Sequence, residues 1–213
     1  MDRYALLLDG GFVKKVLRSS LKHFPTVADV VDFCNGLTAT PDLQGHQLYR
    51  IFYYDAPPYE GRATNPISGA TINYATTQIA RENRSLIDSL ELQPNFAVRR
   101  GTLNHSGWSV SFAAVQRISA AIRAVPPNAA NQQITANDLL PQINQKGVDM
   151  RIGLDIASLA LKKLVHSIIL VTGDSDFVPA MKLARKEGLR VYLAPMGQVS
   201  IMRELKAHAD IIL

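Results

Sequence analysis

The chain has 213 residues, of which 47% are hydrophobic and 19% charged, so it can form one large core or one domain with a sizeable insertion. This composition excludes disorder along the whole chain. The net charge of +5 and the pI of about 9.4 allow a polyanionic partner without establishing one, because the basic residues are spread along the sequence.

The cysteine count and the N-terminus indicate the compartment. Cys34 is the only cysteine, so we expect neither an internal disulfide nor a structural zinc framework, and a cytoplasmic location fits best. The apolar run over residues 4–8 is too short for a signal-peptide core or a membrane span. It is typical of a first buried strand.

Strands and helices are predicted to alternate in the N-terminal half. We expect strands over residues 4–8, 46–54 and 96–101, and helices over residues 12–21, 27–37 and 76–90. The last helix carries Ile79 on its apolar stripe. Proline and glycine over residues 57–69 predict a long surface loop.

The C-terminal half begins with the least regular segment, which we interpret as an insertion over about residues 104–145 with one helix at 111–125. The pattern then becomes clear. We expect strands over residues 167–172 and 190–194, and helices over residues 151–164, 178–186 and 199–208. Gly188 is predicted to stop the second of these helices.

Alternating strands and helices predict an α/β fold, a three-layer αβα sandwich with a mostly parallel central sheet. The whole chain, residues 1–213, is expected to form a single domain that carries the insertion. In such sheets, ligands bind beyond the carboxyl ends of the strands. Asp9 and the sequence Gly173-Asp174-Ser175-Asp176 follow directly after two predicted strands.

Four aspartates, Asp9, Asp149, Asp174 and Asp176, are candidates for a shared site. Hard cations such as Mg²⁺ or Mn²⁺, when held by carboxylates, stabilise charge on a phosphate and lower the pKa of an attacking water. Three or four aspartates that converge from strand ends could hold one or two such ions. An extended backbone would also place Asp174 and Asp176 on the same side.

Each aspartate also has a purely structural interpretation. Asp9 could be an ordinary Asp-Gly turn residue, and Asp149 could be the N-cap of the following helix. Asp174 or Asp176 could cap the helix that begins near residue 178, where Pro179 suits a first turn. Capping does not exclude metal binding.

Other side chains carry weaker signals for substrate contact. Lys146 could contact a phosphate, and Arg99 and Arg100 could form a basic rim, although most basic residues are solvated surface. Asp155, inside a predicted helix, is interpreted as structural or as a support behind the metal ligands. The hydroxyls of Thr172 and Ser175 could bind phosphate or the waters of a metal, or cap the turn.

Aromatic residues offer one further signal. Unpaired bases could stack on them, although aromatics beside strands are more often core. The candidates are Tyr53, Tyr54, Tyr59 and Trp108.

Three stretches resemble the NYN domain family, particularly its LabA-like bacterial branch, which is related to the PIN nucleases. They are LLLDGG, KGVDM with the following helix that contains Asp155, and ILVTGDSDFVPAMKLARKEGLRVYL. The stretches YYDAPP, VRRGTL and ELKAHADIIL are similar to the family as well. The resemblance therefore covers most of the chain outside residues 104–145.

This resemblance implies a PIN-like αβα sandwich and cation-dependent cleavage of RNA, with Mg²⁺ or Mn²⁺ bound by Asp9, Asp149, Asp174 and Asp176. Family members often carry asparagine three residues after the first aspartate, where this chain has Phe12. A polar group that could orient water or phosphate is missing there.

Two alternatives remain open. A non-catalytic RNA-binding or regulatory module would keep the fold and the acidic pocket, and Phe12 and the diffuse positive charge allow it. A haloacid-dehalogenase-like phosphatase also has an aspartate after its first strand, but Gly11 occupies the position of its usual acid/base aspartate. A homodimer is compatible with the sequence, although no interface can be identified.

Overall fold

The computed structural model describes residues 1–124, 132–198 and 201–213. Its strands are β1 (Arg3–Asp9), β2 (Gln47–Asp55), β3 (Arg62–Thr64), β4 (Thr71–Asn73), β5 (Phe96–Arg100), β6 (Thr102–Val110), β7 (Leu139–Lys146), β8 (Ser167–Val171), β9 (Arg190–Leu193) and β10 (Ile211–Ile212). Its helices are α1 (Gly10–Leu21), α2 (Val27–Thr38), α3 (Gln78–Glu91), α4 (Phe112–Arg123), α5 (Val148–Leu161), α6 (Val178–Lys186) and α7 (Arg203–Ala207). None of the described helices has the length and apolar character needed to cross a membrane.

The chain divides into two compact units. The first unit comprises Met1–Pro57, Glu82–Thr102 and Lys146–Leu213, and the second comprises Pro58–Arg81 and Leu103–Gln145. The predicted insertion, residues 104–145, therefore covers nearly all of the longer segment of the second unit, Leu103–Gln145. The second unit contains the antiparallel hairpin β3–β4, helix α4 and most of the two-stranded sheet β6–β7.

The first unit contains a six-stranded sheet with the order β10-β9-β8-β1-β2-β5, and its paired strands are parallel. Helices flank this sheet, so the predicted αβα sandwich is confirmed. Residues 5–8 of β1 and residues 168–171 of β8 are completely buried, as expected for central strands covered on both faces.

One layer of the core lies under α1, α2 and α3. Leu6 and Leu8 of β1 pack there with Val13 of α1, Cys34 of α2 and Leu90 of α3. Burial raises the pKa of the Cys34 thiol to about 12, so this thiol is neutral and unreactive in the folded protein.

The main predicted strands and helices of the first unit are present, with ends shifted by a few residues. The final helix is shorter than expected, because α7 covers only Arg203–Ala207 and residues 199 and 200 lie outside the described residues. Residue 125, at the end of the helix expected over 111–125, also lies outside them. Ile79 is 58% exposed, so the predicted apolar stripe of α3 is buried only towards its C-terminal end, at Leu86, Ile87 and Leu90.

The predicted loop over residues 57–69 is partly a hairpin. Strands β3 and β4 pair here, with Ala63 opposite Ile72, and Asn65 closes the turn by accepting hydrogen bonds from the backbone of Ile67 and Ser68. Strand β6, which begins directly after Gly101, was also not predicted from the sequence. Turn-forming residues inside both stretches hide such short strands from a periodicity analysis.

Gly10 sets how closely α1 approaches β2. A Cβ atom at this position would lie 2.7 Å from the carbonyl oxygen of Tyr54 and 2.8 Å from the ring of Tyr53. Both neighbours are fully buried and cannot move aside. Glycine therefore allows the first turn of α1 to rest directly on the end of β2.

We expect Gly10→Ala to lower the free energy of unfolding by about 1–3 kcal/mol, because the new methyl group overpacks a rigid part of the core. Gly36→Ala in α2 is the matched control, since a Cβ atom there meets nothing within 4 Å. Alanine should make that helix slightly more stable. Urea unfolding of both variants measures the difference, and equal stability would contradict the close approach at Gly10.

Candidate active site

Asp9 is the last residue of β1 and the N-cap of α1. Its backbone is extended, with φ −67° and ψ 102°, and its Oδ1 accepts a hydrogen bond from the backbone nitrogen of Phe12 at 3.2 Å. The carboxylate therefore stabilises the start of α1 and is held at the carboxyl end of the sheet. This capping role replaces the simple turn considered from the sequence.

Thr172 connects Asp9 to the loop after β8. Its hydroxyl is fully buried and donates to Oδ2 of Asp9 at 3.2 Å, while the backbone nitrogen of Asp174 donates to the same hydroxyl oxygen at 3.1 Å. Because β1 and β8 are parallel neighbours, their ends meet at one edge. Thr172 thus links the two acidic segments.

Asp174 starts a single turn of 3₁₀ helix over Ser175–Phe177. Its Oδ1 accepts a hydrogen bond from the backbone nitrogen of Asp176 at 2.9 Å. An extended backbone, the condition for placing Asp174 and Asp176 on the same side, is not present here, because the chain turns at Ser175. Both carboxylates are exposed. The Asp176 side chain caps no helix, since α6 begins from Phe177 without a side-chain cap.

Asp149 lies in the first turn of α5, because this helix begins at Val148 and not at about residue 151 as expected. The N-cap of α5 is Gly147, which has φ +78° and makes no side-chain cap. The N-cap interpretation of Asp149 is therefore wrong as well. Its carboxylate is exposed.

The four aspartates influence one another electrostatically. Burial raises the pKa of Asp9, and the charges of Asp149 and Asp174 raise it further, against the hydrogen bonds from Phe12 and Thr172. Burial also raises the pKa of Asp149, followed by the charges of Asp174 and Asp176. Across the described residues, none of the four carboxylates forms a salt bridge.

The donor set fits a hard divalent cation in its chemistry. Carboxylate oxygens are the ligands of Mg²⁺ and Mn²⁺, and Mg²⁺ uses only one or two of them while keeping several waters. In the parts of the chain that the structure describes, no three His, Cys, Asp or Glu side chains form a group that could hold a metal ion. A cation bound here would therefore take water for most of its ligands, as Mg²⁺ commonly does.

Asp155 has a structural contact that the sequence did not reveal. Its Oδ2 accepts hydrogen bonds from Arg99 Nε and from the Tyr54 hydroxyl, each at 2.9 Å. The guanidinium of Arg99 also lies over the ring of Phe52, 5.2 Å from its centroid. These contacts fix α5, which carries Asp149, to β2 and β5.

Arg100 is likewise engaged in ion pairs. Its guanidinium contacts Asp88 at 2.9 Å and Glu91 at 2.7 Å, both on α3. Arg99 and Arg100 were expected to form a basic rim that contacts the substrate. Both guanidinium groups instead contact acidic side chains of the protein. Lys146 is exposed at the end of β7 and has no ion pair among the described residues.

The remaining candidates have varied environments. Ser175 is the first residue of the 3₁₀ turn, and its carbonyl oxygen accepts from the backbone of Val178. Tyr53 and Tyr54 are completely buried, so they are core residues and cannot stack on bases.

A buried ion pair beside the site was not predicted. Asp55, the last residue of β2, is 2% exposed, and its Oδ2 lies 2.6 Å from Nζ of Lys14 on α1. The backbone nitrogen of Ala56 donates to its Oδ1 at 2.8 Å. The sequence did contain a signal for this site. Asp55 lies at the end of a parallel strand, as Asp9 does, but it was interpreted only as the residue that stops the strand.

Phe12 is the third residue of α1 and lies three positions after Asp9. A Cβ atom on Gly173 would lie 2.8 Å from Cε2 of Phe12, so the aromatic ring covers the glycine of the Gly173-Asp174 turn. The ring also packs on the core beneath α1. Phe12 therefore fills space behind the acidic residues and presents no polar group to them.

The parallel αβα sandwich with acidic groups at the carboxyl edge of its sheet is consistent with a PIN-like fold. A family model described as the NYN domain matches residues 71–213, and this match implies the nuclease-type class of that fold. Because the match covers well over half of the chain, the protein belongs to the NYN family. Asp149, Asp174 and Asp176 lie within the matched residues, whereas Asp9 precedes them.

A crystal structure of a protein of unknown function from Vibrio parahaemolyticus RIMD 2210633 is similar to this chain. The TM-score is 0.51 at 14% sequence identity, over 100% of this chain and 91% of that protein. At this identity the similarity concerns the fold alone. No curated protein matches the sequence.

We expect Asp9→Asn to raise the melting temperature in EDTA at pH 7 by about 2–4 °C, the shift that about 1 kcal/mol produces in a protein of this size. The pKa of Asp9 is raised above 3.8 in the folded protein, so its ionisation at higher pH lowers stability. Asparagine keeps the N-cap without the charge.

The gain should shrink as the pH falls towards 3.8, where the wild-type carboxyl is protonated in the folded protein. Calorimetric scans at several pH values measure it. Asp32→Asn, which changes an exposed carboxylate of α2, is the control and should give no comparable gain. A variant of Asp9 that is less stable than wild type at pH 7 would refute the repulsion.

Proposed function

We propose that this protein is a metal-dependent ribonuclease that cleaves phosphodiester bonds of RNA, with Mg²⁺ or Mn²⁺ bound by Asp9, Asp149, Asp174 and Asp176. The observation that carries the proposal is the burial of the Asp9 carboxylate beside the negative charges of Asp149 and Asp174, while none of the four aspartates is paired with a basic side chain among the described residues. Such an arrangement costs stability unless a cation is bound. Membership of the NYN family supports RNA as the substrate.

A divalent cation bound by these carboxylates would lower the pKa of an attacking water and neutralise charge that develops on the phosphate. The fold determines where the four carboxylates lie. Asp9 is oriented by hydrogen bonds from Phe12 and Thr172, so it needs little rearrangement. Asp149, Asp174 and Asp176 are exposed, and their carboxylates are open to water and to a phosphodiester.

Lys146 is the basic side chain best suited to contact substrate. It is exposed, has no ion pair among the described residues, and precedes Asp149 by three positions. Its backbone is fixed beside β5, because a Cβ atom on Gly101 would lie only 2.8 Å from the carbonyl oxygen of Lys146. An ammonium group in this position would attract a phosphate of the RNA backbone.

We expect purified protein to cleave labelled single-stranded RNA in Mn²⁺ or Mg²⁺ and not in EDTA. Asp174→Asn should reduce the rate at least about 100-fold, since it removes a charged ligand from the metal site. Gel analysis of the products measures cleavage, and Asp32→Asn serves as the control that keeps full activity. RNA binding without cleavage in every metal would reject the nuclease.

We also expect Asp9→Asn and Asp174→Asn each to weaken Mn²⁺ binding by about 10-fold or more, because each removes one carboxylate. Isothermal titration calorimetry measures the affinity. Circular dichroism should show an unchanged fold, since asparagine can replace aspartate at both caps. Unchanged Mn²⁺ affinity in both variants would exclude a shared site.

A non-catalytic RNA-binding module is the second candidate. The ring of Phe12 favours it, because the position where relatives carry a polar amide is occupied by an apolar side chain against Gly173. The cleavage experiment separates the two candidates. Against a dehalogenase-like phosphatase, Gly11 provides no acid two residues after Asp9.

A further inference from the structure

The second unit buries almost no large side chains. Among its described residues, the buried hydrophobic ones are four alanines, Ala63, Ala80, Ala114 and Ala121. Larger apolar residues are exposed, such as Phe112 at 75% and Ile122 at 58%. Four aromatic rings of this unit are in contact with one another.

These rings are Tyr59, Tyr74, His105 and Trp108, which we call the aromatic cluster. Tyr59 contacts Tyr74 at 5.4 Å between ring centroids, and it stacks on His105 at 6.0 Å with 26° between the planes. His105 meets Trp108 edge to face at 6.1 Å. Each of the four is only partly buried, so the cluster has rings that are accessible from solvent.

Two polar atoms inside the aromatic cluster have no hydrogen-bond partner. The hydroxyl of Tyr74 and Nε2 of His105 are buried, and neither bonds to a protein atom. Buried polar groups are costly when unsatisfied, so both atoms would be stabilised by a hydrogen bond to a ligand or to water. A ligand that fits has a flat face for stacking and polar atoms on its edge.

The charge of the second unit favours an anionic ligand. Its two segments contain four arginines, no lysine and two acidic residues, Glu60 and Asp138. Asp138 is neutralised by Arg117 at 2.7 Å. The unit therefore carries a net charge of +2, four arginines minus two acids, in addition to its histidine.

Arg62 brings positive charge next to the aromatic cluster. It is exposed and forms no ion pair with any described residue. The neighbouring Gly61 accepts a hydrogen bond from the backbone of Tyr74 at 3.1 Å, and the Tyr59 side chain lies against the same glycine. A phosphate beside Arg62 would thus be close to the rings.

We propose that the aromatic cluster binds unpaired bases of single-stranded RNA, with Tyr59 and Trp108 as stacking surfaces and Arg62 as a phosphate contact. This rests on the proposed function for the choice of RNA as ligand. Flat faces, unsatisfied polar atoms and a free guanidinium match a nucleotide with an exposed base. Paired bases in a double helix cannot offer their faces to these rings.

Trp108 makes the test direct, because it is the only tryptophan in the chain. Full-length protein in EDTA, where metal-dependent cleavage cannot proceed, is titrated with a 12-nucleotide oligouridylate while tryptophan fluorescence is followed. We expect saturable quenching by this single strand and at least about 10-fold weaker quenching by a duplex of equal length. Absence of quenching, or equal quenching by the duplex, overturns the proposal.

Variants identify the contacts. Tyr59→Ala should weaken oligouridylate binding by about 10-fold, as measured by fluorescence anisotropy of a labelled strand, whereas Tyr49→Ala, a partly buried tyrosine of β2, should not. Arg62→Gln changes an exposed side chain and leaves the fold intact, and it should weaken binding and reduce its salt dependence. Unchanged affinity in both Tyr59→Ala and Arg62→Gln refutes the site.

RNA binding by the aromatic cluster and the nuclease activity can be rejected independently of each other. Quenching by the single strand without cleavage in any metal would support the aromatic cluster and reject the nuclease. Cleavage in Mn²⁺ by a protein whose fluorescence does not respond to the single strand would reject the cluster and support the nuclease.

Discussion

The acidic edge of the sheet depends on one buried hydroxyl. The parallel register places Leu8 opposite Val171, so Asp9 and Thr172 are the next residues of their strands. Thr172 donates to Asp9 and accepts from the backbone of Asp174, which satisfies the hydroxyl in both directions. The relative position of the two aspartates is therefore determined by the pairing of β1 with β8, which are the most buried strands of the sheet.

The arrangement places Asp9 near the negative charges of Asp149 and Asp174, at a position where burial already disfavours the charged form of its carboxyl group. The pKa of Asp9 is raised by burial and by two neighbouring carboxylates, although two hydrogen bonds act in the opposite direction. Two other carboxylates of the first unit show the usual solution, since Asp55 has Lys14 and Asp155 has Arg99. The contrast distinguishes carboxylates that stabilise the fold through an ion pair from carboxylates that have no basic partner among the described residues.

Much of the first unit could be predicted from local sequence. Continuous apolar runs identify β1 and β8, and the residues at their ends identify Asp9 and Asp174, because parallel strands collect such residues at one edge. The NYN resemblance also rests on these short stretches. The strand ends and the family resemblance both depend on local sequence, and the family match confirms the resemblance.

What could not be predicted depends on distant partners. No pattern around Asp155 indicates Tyr54 and Arg99, which are 101 and 56 residues away in the chain. The left-handed backbone of Gly147 starts α5 before Asp149 and not after it, and the turn at Ser175 removes the extended backbone that an alternation of Asp174 and Asp176 requires. Backbone conformations that break periodicity are invisible to an analysis based on periodicity.

The way the second unit is connected has a consequence for evolution. The chain enters it just after β2 and again just after β5, and returns within α3 and just before α5. Residues can be inserted or deleted in the loops of those segments without changing the register of β1, β2 and β8. Changes in the length of this unit therefore leave Asp9 at the end of β1 and Thr172 directly after β8.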